Sequence, residues 1–433
     1  MIHTNTAEKK PFSPGKKRIF LRSIPLLFIG AFLFFGMIQG NTSSLPDSRV
    51  VLGSDNFIKK FPRELRGKSL GLVINHTSVL SRGKSLLNAL LEKGHIIQAI
   101  FSPEHGLFGN MEGGQEVQDG QLKGIQIHSL YGKTRKPTPE QTRAIDAFVY
   151  DIQDVGTRFY TYITTLKNVM EAAAEAKIPV YILDRPNPLG GTIIEGSLLQ
   201  PEFESFIAPY PIPVRYGLTS GELAMMAKGE GWVPETVELH VVKMKKWRRQ
   251  FFWKDTGLRW IPPSPNMPYP ETAIIYPGTA WLGALNLNKG RGTRYPFLQF
   301  GAPWLDPASI IEKLNTGEEF GIELEAVNYI PRSLPKKALH PLYKNKICHG
   351  IYVHIRQREK FRSIRFTLSL IKALKDHYPE NSYPESRYLD PMFGNDLVSC
   401  YLKGTVSYEK ILTQMEKDET FFRKKRRKYL LYR

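Results

Sequence analysis

The chain has 433 residues, of which 42% are hydrophobic and 23% are charged, which excludes a disordered or fibrous protein. The net charge of +19 is concentrated at the two ends. Residues 1–22 carry six Lys or Arg against one Glu, and residues 423–433 carry seven and no acid, so about +7 remains over the other 400 residues. We therefore expect no nucleic-acid partner, and we interpret the basic ends as membrane-directed or simply solvated.

Four basic residues precede an apolar run at residues 24–38. This pattern predicts an export signal or an N-terminal membrane anchor within residues 1–45. The run is short for a complete span, so cleavage and tethering to the cytoplasmic membrane both stay open. Either way, the positive charge before the run predicts a periplasmic or secreted folded part. The two cysteines, Cys348 and Cys400, permit a disulfide there, but their spacing does not require one.

The next part of the chain alternates strands with helices. Strands are predicted at residues 69–76, 96–106, 147–156 and 178–188, and helices at residues 83–94 and 159–177. This alternation predicts an α/β fold whose Rossmann-like parallel sheet has helices on both faces.

A proline-rich connector at residues 260–278 predicts the boundary with a second part of the chain. We expect a Rossmann-like domain over residues 46–265. A smaller C-terminal α/β domain with a basic tail should follow over residues 266–433. Within it, helices are predicted at residues 361–379 and 408–430.

Each predicted strand ends in polar residues, which are Asn75–His76, Glu104–His105, Asp151 to Asp154 and Asp184–Arg185. Ligands of open parallel sheets bind outside the carboxyl ends of the strands. Any one of these residues alone is more often a loop or cap residue, but four such ends together favour a shared pocket. The sequence has no dinucleotide, P-loop, serine-hydrolase or zinc-protease motif. We therefore expect carboxylate and imidazole chemistry without a cofactor or a metal.

Glycoside hydrolysis needs a proton donor and usually a second carboxylate. Glu104 suits the donor because apolar residues surround it, and His105 could orient it or act in its own right. Asp151, Asp154 and Glu195 are candidates for the second carboxylate, although Asp154 could equally cap the next helix. Six further residues could clamp an anion or stack on a sugar, although packing is their default role: Arg158, Arg185, Arg215, Arg291, Tyr160 and Tyr162.

Several stretches together resemble one family: "FSPEHGLFG", "VYDIQDVGTRFYTYITTL", "ILDRPNPLGG", "PIPVRYGLTSGELA", "PPSPNMP" and "KGRGT". In this order they resemble the bacterial exo-β-N-acetylmuramidase (NamZ-like) family over residues 50–430. The resemblance implies an extracytoplasmic glycosidase that releases N-acetylmuramic acid from the non-reducing end of peptidoglycan fragments. It implies a cleft between the two domains, with Glu104 as the acid/base. We also expect substrate contacts from Asn75, Asn187, Glu195, Asn266 and Asn286.

One stretch departs from the family pattern. Members usually read F-E-G-T-N-x-S-E-G-R-G-T where this chain reads "LGALNLNKGRGT", residues 282–293. Gly283 and Lys289 replace two expected glutamates, whereas Asn286 and Arg291 are retained. An alternative is therefore an impaired member that binds muropeptides or cell wall without turnover. A third possibility is a hydrolase or transferase for another anionic sugar.

Overall fold

The computed structural model describes residues 49–314, 317–378 and 388–433. The predicted export segment lies outside the described residues. Within the described ranges, no helix combines the length and the apolar character that crossing a membrane requires.

Seven strands form the larger sheet: β1 (Ser69–Ile74), β2 (Ile96–Ser102), β3 (Gly120–Leu122), β4 (Ile125–Ser129), β5 (Ala147–Asp151), β6 (Val180–Leu183) and β7 (Leu239–Val242). Their order is β3-β4-β2-β1-β5-β6-β7, and all neighbours are parallel except the pair β3–β4. The four predicted strands are confirmed as β1, β2, β5 and β6. The other three are missing from the prediction because they are short and not fully buried, so they lack a continuous apolar run.

Five helices accompany this sheet: α1 (Gly53–Lys59), α2 (Leu86–Glu92), α3 (Pro139–Thr142), α4 (Tyr162–Ala176) and α5 (Ser220–Gly229). Successive side chains of a strand point to opposite faces of the sheet. In β5, Ala147 and Val149 share a core with α1 and α2, whereas Phe148 and Tyr150 share the other core with α4 and α5. Helices on both faces of a mostly parallel sheet confirm the predicted fold class.

The rest of the described chain contains α6 (Pro270–Thr279), β8 (Gln299–Ala302), α7 (Pro307–Leu314), α8 (Gly317–Phe320), β9 (Ile322–Tyr329), β10 (Cys348–Ile355), α9 (Ser363–His377), α10 (Leu389–Phe393), α11 (Leu397–Leu402) and α12 (Tyr408–Lys425). Strand β10 lies between β8 and β9 and is antiparallel to both. This three-stranded sheet is the smaller second part, while the domain limits at residues 265 and 266 stay a prediction.

The predicted connector at residues 260–278 is only partly a connector, because α6 occupies its second half. Pro270 suits the first helical position, where a backbone N–H would lack a helical partner in any case. Cys348 and Cys400 are both free thiols, so the optional disulfide is not formed.

The basic C-terminal tail is partly buried against the larger sheet. The Arg426 guanidinium donates to the carbonyls of Gly191 (2.8 Å) and Gly217 (2.5 Å). The Tyr432 hydroxyl donates to Asp184 Oδ2 at 2.6 Å, and the Arg433 carbonyl accepts from the Arg249 N–H at 3.1 Å. The interpretation as a solvated end is therefore wrong for Arg426, which is buried, whereas Arg423, Lys424, Arg427, Lys428 and Arg433 are exposed. The interpretation as a membrane-directed end stays a prediction.

Candidate active site

The turn after β2 presents the first two candidate residues. The Gly106 N–H donates to the Pro103 carbonyl at 3.0 Å and closes the turn. His105, the third residue of this turn, has a φ of 69°, and Gly106 follows with 73°. A left-handed backbone is uncommon for a residue other than glycine, and such positions concentrate at functional sites. Glu104 and His105 both line a cavity at this point.

Three groups hold the Glu104 carboxylate. The Thr161 hydroxyl donates to Oε2 at 2.5 Å, and the Gly114 N–H donates to Oε1 at 2.9 Å. The Tyr131 hydroxyl lies beside the same carboxylate; burial and that negative charge raise the pKa of Tyr131. Thr161 is the residue before α4, yet its side chain does not cap that helix. A hydroxyl spared from capping and turned toward a carboxylate fits a functional position.

The His105 ring is held in one tautomer. Its Nδ1 lies 2.8 Å from the Met111 carbonyl, and a carbonyl only accepts, so Nδ1 carries the proton. Burial lowers the pKa of His105 despite the nearby Glu104, which favours the neutral ring. A Cβ at Gly113 would lie 3.4 Å from both Glu104 Oε1 and His105 Cε1, so glycine keeps this side open.

The cavity has a volume of about 180 Å³ and lies between the strand-end loops of the larger sheet and the second part of the chain. The lining residues are Glu104, His105, Gly113, Phe159, Tyr160, Thr161, Ser264, Asn266, Met267, Tyr276, Ala280, Lys289, Arg291, Phe297 and Met392. Glu104 is the one carboxylate among them. Tyr276 packs against Phe159 (5.3 Å between ring centroids) and Phe297 (4.8 Å), which gives the cavity an aromatic wall. Apolar walls with a few convergent polar groups are typical of small-ligand sites.

Two cationic side chains of the glycine-rich stretch at residues 287–293 line this cavity. Asn288 anchors the loop, since its Oδ1 accepts from the Gly290 N–H at 2.8 Å and its Nδ2 donates to the Leu342 carbonyl at 2.7 Å. The flanking Lys289 and Arg291 both line the cavity. Burial, with a smaller effect of Arg291, lowers the pKa of Lys289 to about 8.

The retained Arg291 joins the two parts of the chain. Its Nη2 lies 2.7 Å from Glu112 Oε1 and 3.0 Å from the Lys337 carbonyl. Glu112 belongs to the loop after β2, and its other oxygen accepts from the Leu339 N–H at 3.0 Å. Arg291 therefore connects the loop after β2, through Glu112, to the second part of the chain.

Two predicted residues pair with each other instead of facing the cavity. Both oxygens of the fully buried Asp151 accept from Arg185, at 2.5 Å from Nε and 2.9 Å from Nη2. Arg185 Nη2 also donates to the Val79 carbonyl at 2.8 Å. Neither residue lines the cavity. Their geometry is that of a structural ion pair between neighbouring strands β5 and β6.

Asp154 is also buried away from the cavity surface. Its Oδ2 accepts from the Tyr216 hydroxyl and from the Gly156 N–H at 2.6 Å, whereas Oδ1 has no partner. Burial raises the pKa of Asp154 to about 6. The alternative that Asp154 caps the next helix is wrong, because α4 begins at Tyr162 and Asp154 instead closes a loop turn.

Three more residues that were predicted to contact the substrate are buried inside the fold. Arg158 donates to the carbonyls of Ser197, Ile212 and Met392. Arg215 donates to the Leu189 carbonyl. Glu195 Oε1 accepts from the backbone of Ile364 (3.0 Å) and Arg365 (2.8 Å), so it satisfies the first turn of α9. Arg158 and Glu195 therefore connect the first part of the chain to the second, Arg215 stays within the first part, and none of the three lines the cavity.

Of the predicted aromatic and amide contacts, Tyr160 and Asn266 line the cavity and the others do not. Tyr162 accepts from Asn75 Nδ2 at 3.0 Å and donates to the Pro263 carbonyl at 2.6 Å, so these two residues support the loop behind the cavity. Asn187 supports a neighbouring loop through the Leu218 carbonyl. Asn286 is exposed in a left-handed conformation after residues 280–285.

The structure adds cavity residues that the sequence did not single out. Thr161, Ser264 and Met267 lie within the quoted motifs, so their motif membership was an available signal. Tyr131, which lies beside Glu104 without lining the cavity, had no such signal, because it follows β4, a strand that was not predicted.

Comparisons with known proteins show the family of this chain. Residues 70–271 match the family described as exo-β-N-acetylmuramidase NamZ, N-terminal, and residues 274–432 match the corresponding C-terminal family. The peptidoglycan β-N-acetylmuramidase NamZ of Bacillus subtilis (strain 168) is 38% identical over 424 residues, which cover 95% of this chain and all of that protein. The chain belongs to the NamZ family.

Two crystal structures of DUF1343 family proteins from Bacteroides fragilis NCTC 9343 have the same fold. One is 34% identical with a TM-score of 0.82 and covers 90% of this chain and 100% of its own. The other is 31% identical with a TM-score of 0.70 and covers 89% of this chain and 99% of its own. Membership of the NamZ family makes this chain a homologue of a peptidoglycan-cleaving glycoside hydrolase.

Proposed function

We propose that this protein is an exo-β-N-acetylmuramidase that hydrolyses N-acetylmuramic acid from the non-reducing end of peptidoglycan fragments. One observation carries the proposal: a hydrogen-bonded Glu104 is the one carboxylate in the lining of a cavity with an aromatic wall. The relative from B. subtilis, named for cleavage of the same class of bond, supports the substrate class.

Glu104 is the proton donor in this proposal. It gives its proton to the glycosidic oxygen as the bond to the leaving sugar breaks, and it takes a proton from the incoming water. Thr161 can accompany both states because a hydroxyl donates to the carboxylate and accepts from the acid. Since the lining has no second carboxylate in the described part of the chain, the sugar's own acetamido group is the nucleophile of the first step. Water displaces the acetamido oxygen in the second step, when Glu104 has already lost its proton and can accept one from the water.

The test uses the disaccharide in which N-acetylmuramic acid is β-linked to N-acetylglucosamine, and the same disaccharide blocked by a further N-acetylglucosamine at its non-reducing end. We expect release of N-acetylmuramic acid from the first substrate alone, and loss of release in Glu104→Gln. Cleavage of the blocked substrate at an equal rate would contradict an exo-acting enzyme.

The alternative of a non-hydrolysing binder is favoured by one observation. A Cβ at Gly283 would lie 3.5 Å from Lys289 Nζ, so the two positions where glutamates were expected are neighbours. If the protein is such a binder, the wild type should release no sugar, and Glu104→Gln should bind muropeptides as tightly as the wild type does.

We also propose an extracytoplasmic location, periplasmic or secreted, with the N-terminal segment as a signal or tether. The supporting pattern is the basic segment followed by the apolar run at residues 24–38. Fractionation of cells that express the full chain tests this location, and recovery in the cytoplasm would contradict it.

A further inference from the structure

The cavity contains a cation with unused hydrogen-bonding capacity. Lys289 Nζ donates to the Ala280 carbonyl at 2.7 Å, and an ammonium has three donors. Its ring neighbour is Phe297, whose centroid lies 5.6 Å from Nζ. The side of the ammonium that faces residue 283 meets a glycine, so no side chain covers it.

The neighbouring Arg291 also has hydrogen-bond donors that are not all used. Arg291 uses Nη2 for Glu112 and the Lys337 carbonyl, whereas its buried Nε has no hydrogen-bond partner. The cavity lining therefore has two cations and one carboxylate, and Glu112 already offsets one of the cations. Lys289 is half-buried, and a partly desolvated charge is costly unless it is paired, which makes an anionic group the fitting occupant beside it.

We propose that Lys289 is a specificity-determining residue that binds the carboxylate of an acidic sugar in this cavity. This proposal rests on the proposed function, in which the lactyl carboxylate of N-acetylmuramic acid is that group. N-Acetylglucosamine has a hydroxyl where N-acetylmuramic acid carries the lactyl ether, so the lactyl carboxylate is the one charged group that distinguishes the two sugars. The pairing would be a charge-assisted hydrogen bond, which is stronger than a neutral one.

Binding of N-acetylmuramic acid and N-acetylglucosamine by calorimetry tests this directly, with glucuronic acid as a third ligand whose carboxylate lies elsewhere on the ring. The wild type should bind N-acetylmuramic acid most tightly. Lys289→Met should weaken that binding about 10- to 100-fold and leave N-acetylglucosamine binding unchanged. Lys337→Met is the matched control, since it removes an equal charge from an exposed lysine whose carbonyl contacts Arg291.

A second variant keeps the Lys289 side chain. Gly283 has no left-handed φ, and a Cβ there would make only ordinary contacts, so Gly283→Glu fits the fold. Its carboxylate would reach Lys289 and occupy the ammonium. We therefore expect Gly283→Glu to weaken N-acetylmuramic acid binding as Lys289→Met does. A gain in hydrolysis by Gly283→Glu, with undiminished binding, would overturn the proposal and indicate a lost catalytic carboxylate.

The outcomes separate this proposal from the proposed function. Equal wild-type binding of N-acetylmuramic acid and N-acetylglucosamine would overturn the role of Lys289, even if hydrolysis is observed. Selective binding that depends on Lys289, without any hydrolysis, would support that role and contradict the proposed turnover. Tighter binding of glucuronic acid than of N-acetylmuramic acid would overturn the assignment of the lactyl carboxylate.

Discussion

The ends of β2 and β5 look alike in sequence but differ in the structure. Asp151 is the last residue of β5, and Glu104 follows the last residue of β2 by two positions. Asp151 is fully buried, and both of its oxygens accept from Arg185. Glu104 is half-buried, is held by two hydroxyls and a backbone N–H, and faces a cavity.

The comparison shows that charge compensation distinguishes the two carboxylates better than their position does. A carboxylate with a bidentate guanidinium partner is committed to the framework. A carboxylate held by neutral donors beside open space can exchange a proton with a ligand. Substitutions should therefore separate the carboxylates that stabilise the framework from the carboxylate that acts on a ligand.

The largest effect on stability is expected at the Asp151–Arg185 pair. Asp151→Asn turns an amide N–H toward the guanidinium and leaves a buried charge unpaired, so the free energy of unfolding should fall by about 3–5 kcal/mol. Urea unfolding measures this change. Asp376→Asn is the matched control, because its ion pair with Lys372 is exposed and should contribute less than about 0.5 kcal/mol. Equal small effects in both variants would contradict a structural role for Asp151.

Asp154→Asn should change how stability depends on pH. Because burial raises the pKa of Asp154 from 3.8 to about 6, the folded state binds the proton more tightly than the unfolded state does. The stability that this proton provides is complete below about pH 4 and is lost as the pH rises through about 6. The amide does not titrate, so the variant should gain up to about 3 kcal/mol relative to the wild type between pH 4 and pH 7.5.

Unfolding of both proteins across this pH range measures the difference in their free energies of unfolding. A difference that does not change with pH would contradict the raised pKa of Asp154. The same variant tests the sequence prediction that Asp154 is catalytic. Since Asp154 does not line the cavity, hydrolysis should decrease far less than the roughly 10²- to 10⁴-fold expected for a lost acid or base.

The smallest effect is expected in the C-terminal tail. Tyr432→Phe removes a hydroxyl that donates to Asp184 and accepts from the Met244 N–H, so stability should fall by about 1–2 kcal/mol. Thermal unfolding measures the change, with Tyr269→Phe as a control at a half-exposed tyrosine. An unchanged melting temperature in Tyr432→Phe would show that the tail does not stabilise the fold.

Much of the framework could be predicted because it depends on local patterns. The apolar runs of β1, β2, β5 and β6 and the helical spacing of α4 are visible within short windows. The strand-end rule also located Glu104, since Pro103 and Gly106 mark the turn. The strands β3, β4 and β7 could not be predicted in this way, because short strands with partly exposed positions lack a continuous apolar run.

The partners of each candidate residue could not be predicted, because they are distant in sequence. Arg185 meets Asp151 only when β6 pairs with β5, and Glu195 meets the start of α9 across 169 residues. Thr161 was not singled out because the predicted helix at residues 159–177 includes it, and its contact with Glu104 spans 57 residues of sequence. Local patterns therefore indicated where polar residues gather, and tertiary contacts decided which of them face a ligand.

The most direct test measures hydrolysis of a β-N-acetylmuramide by Glu104→Gln and Asp151→Asn, each with its unfolding curve. We expect Glu104→Gln to unfold like the wild type and to lose about 10²- to 10⁴-fold in kcat. Asp151→Asn should lose stability and keep its rate per folded molecule. Wild-type hydrolysis by Glu104→Gln, or a stable and inactive Asp151→Asn, would contradict the division of roles between these two strand ends.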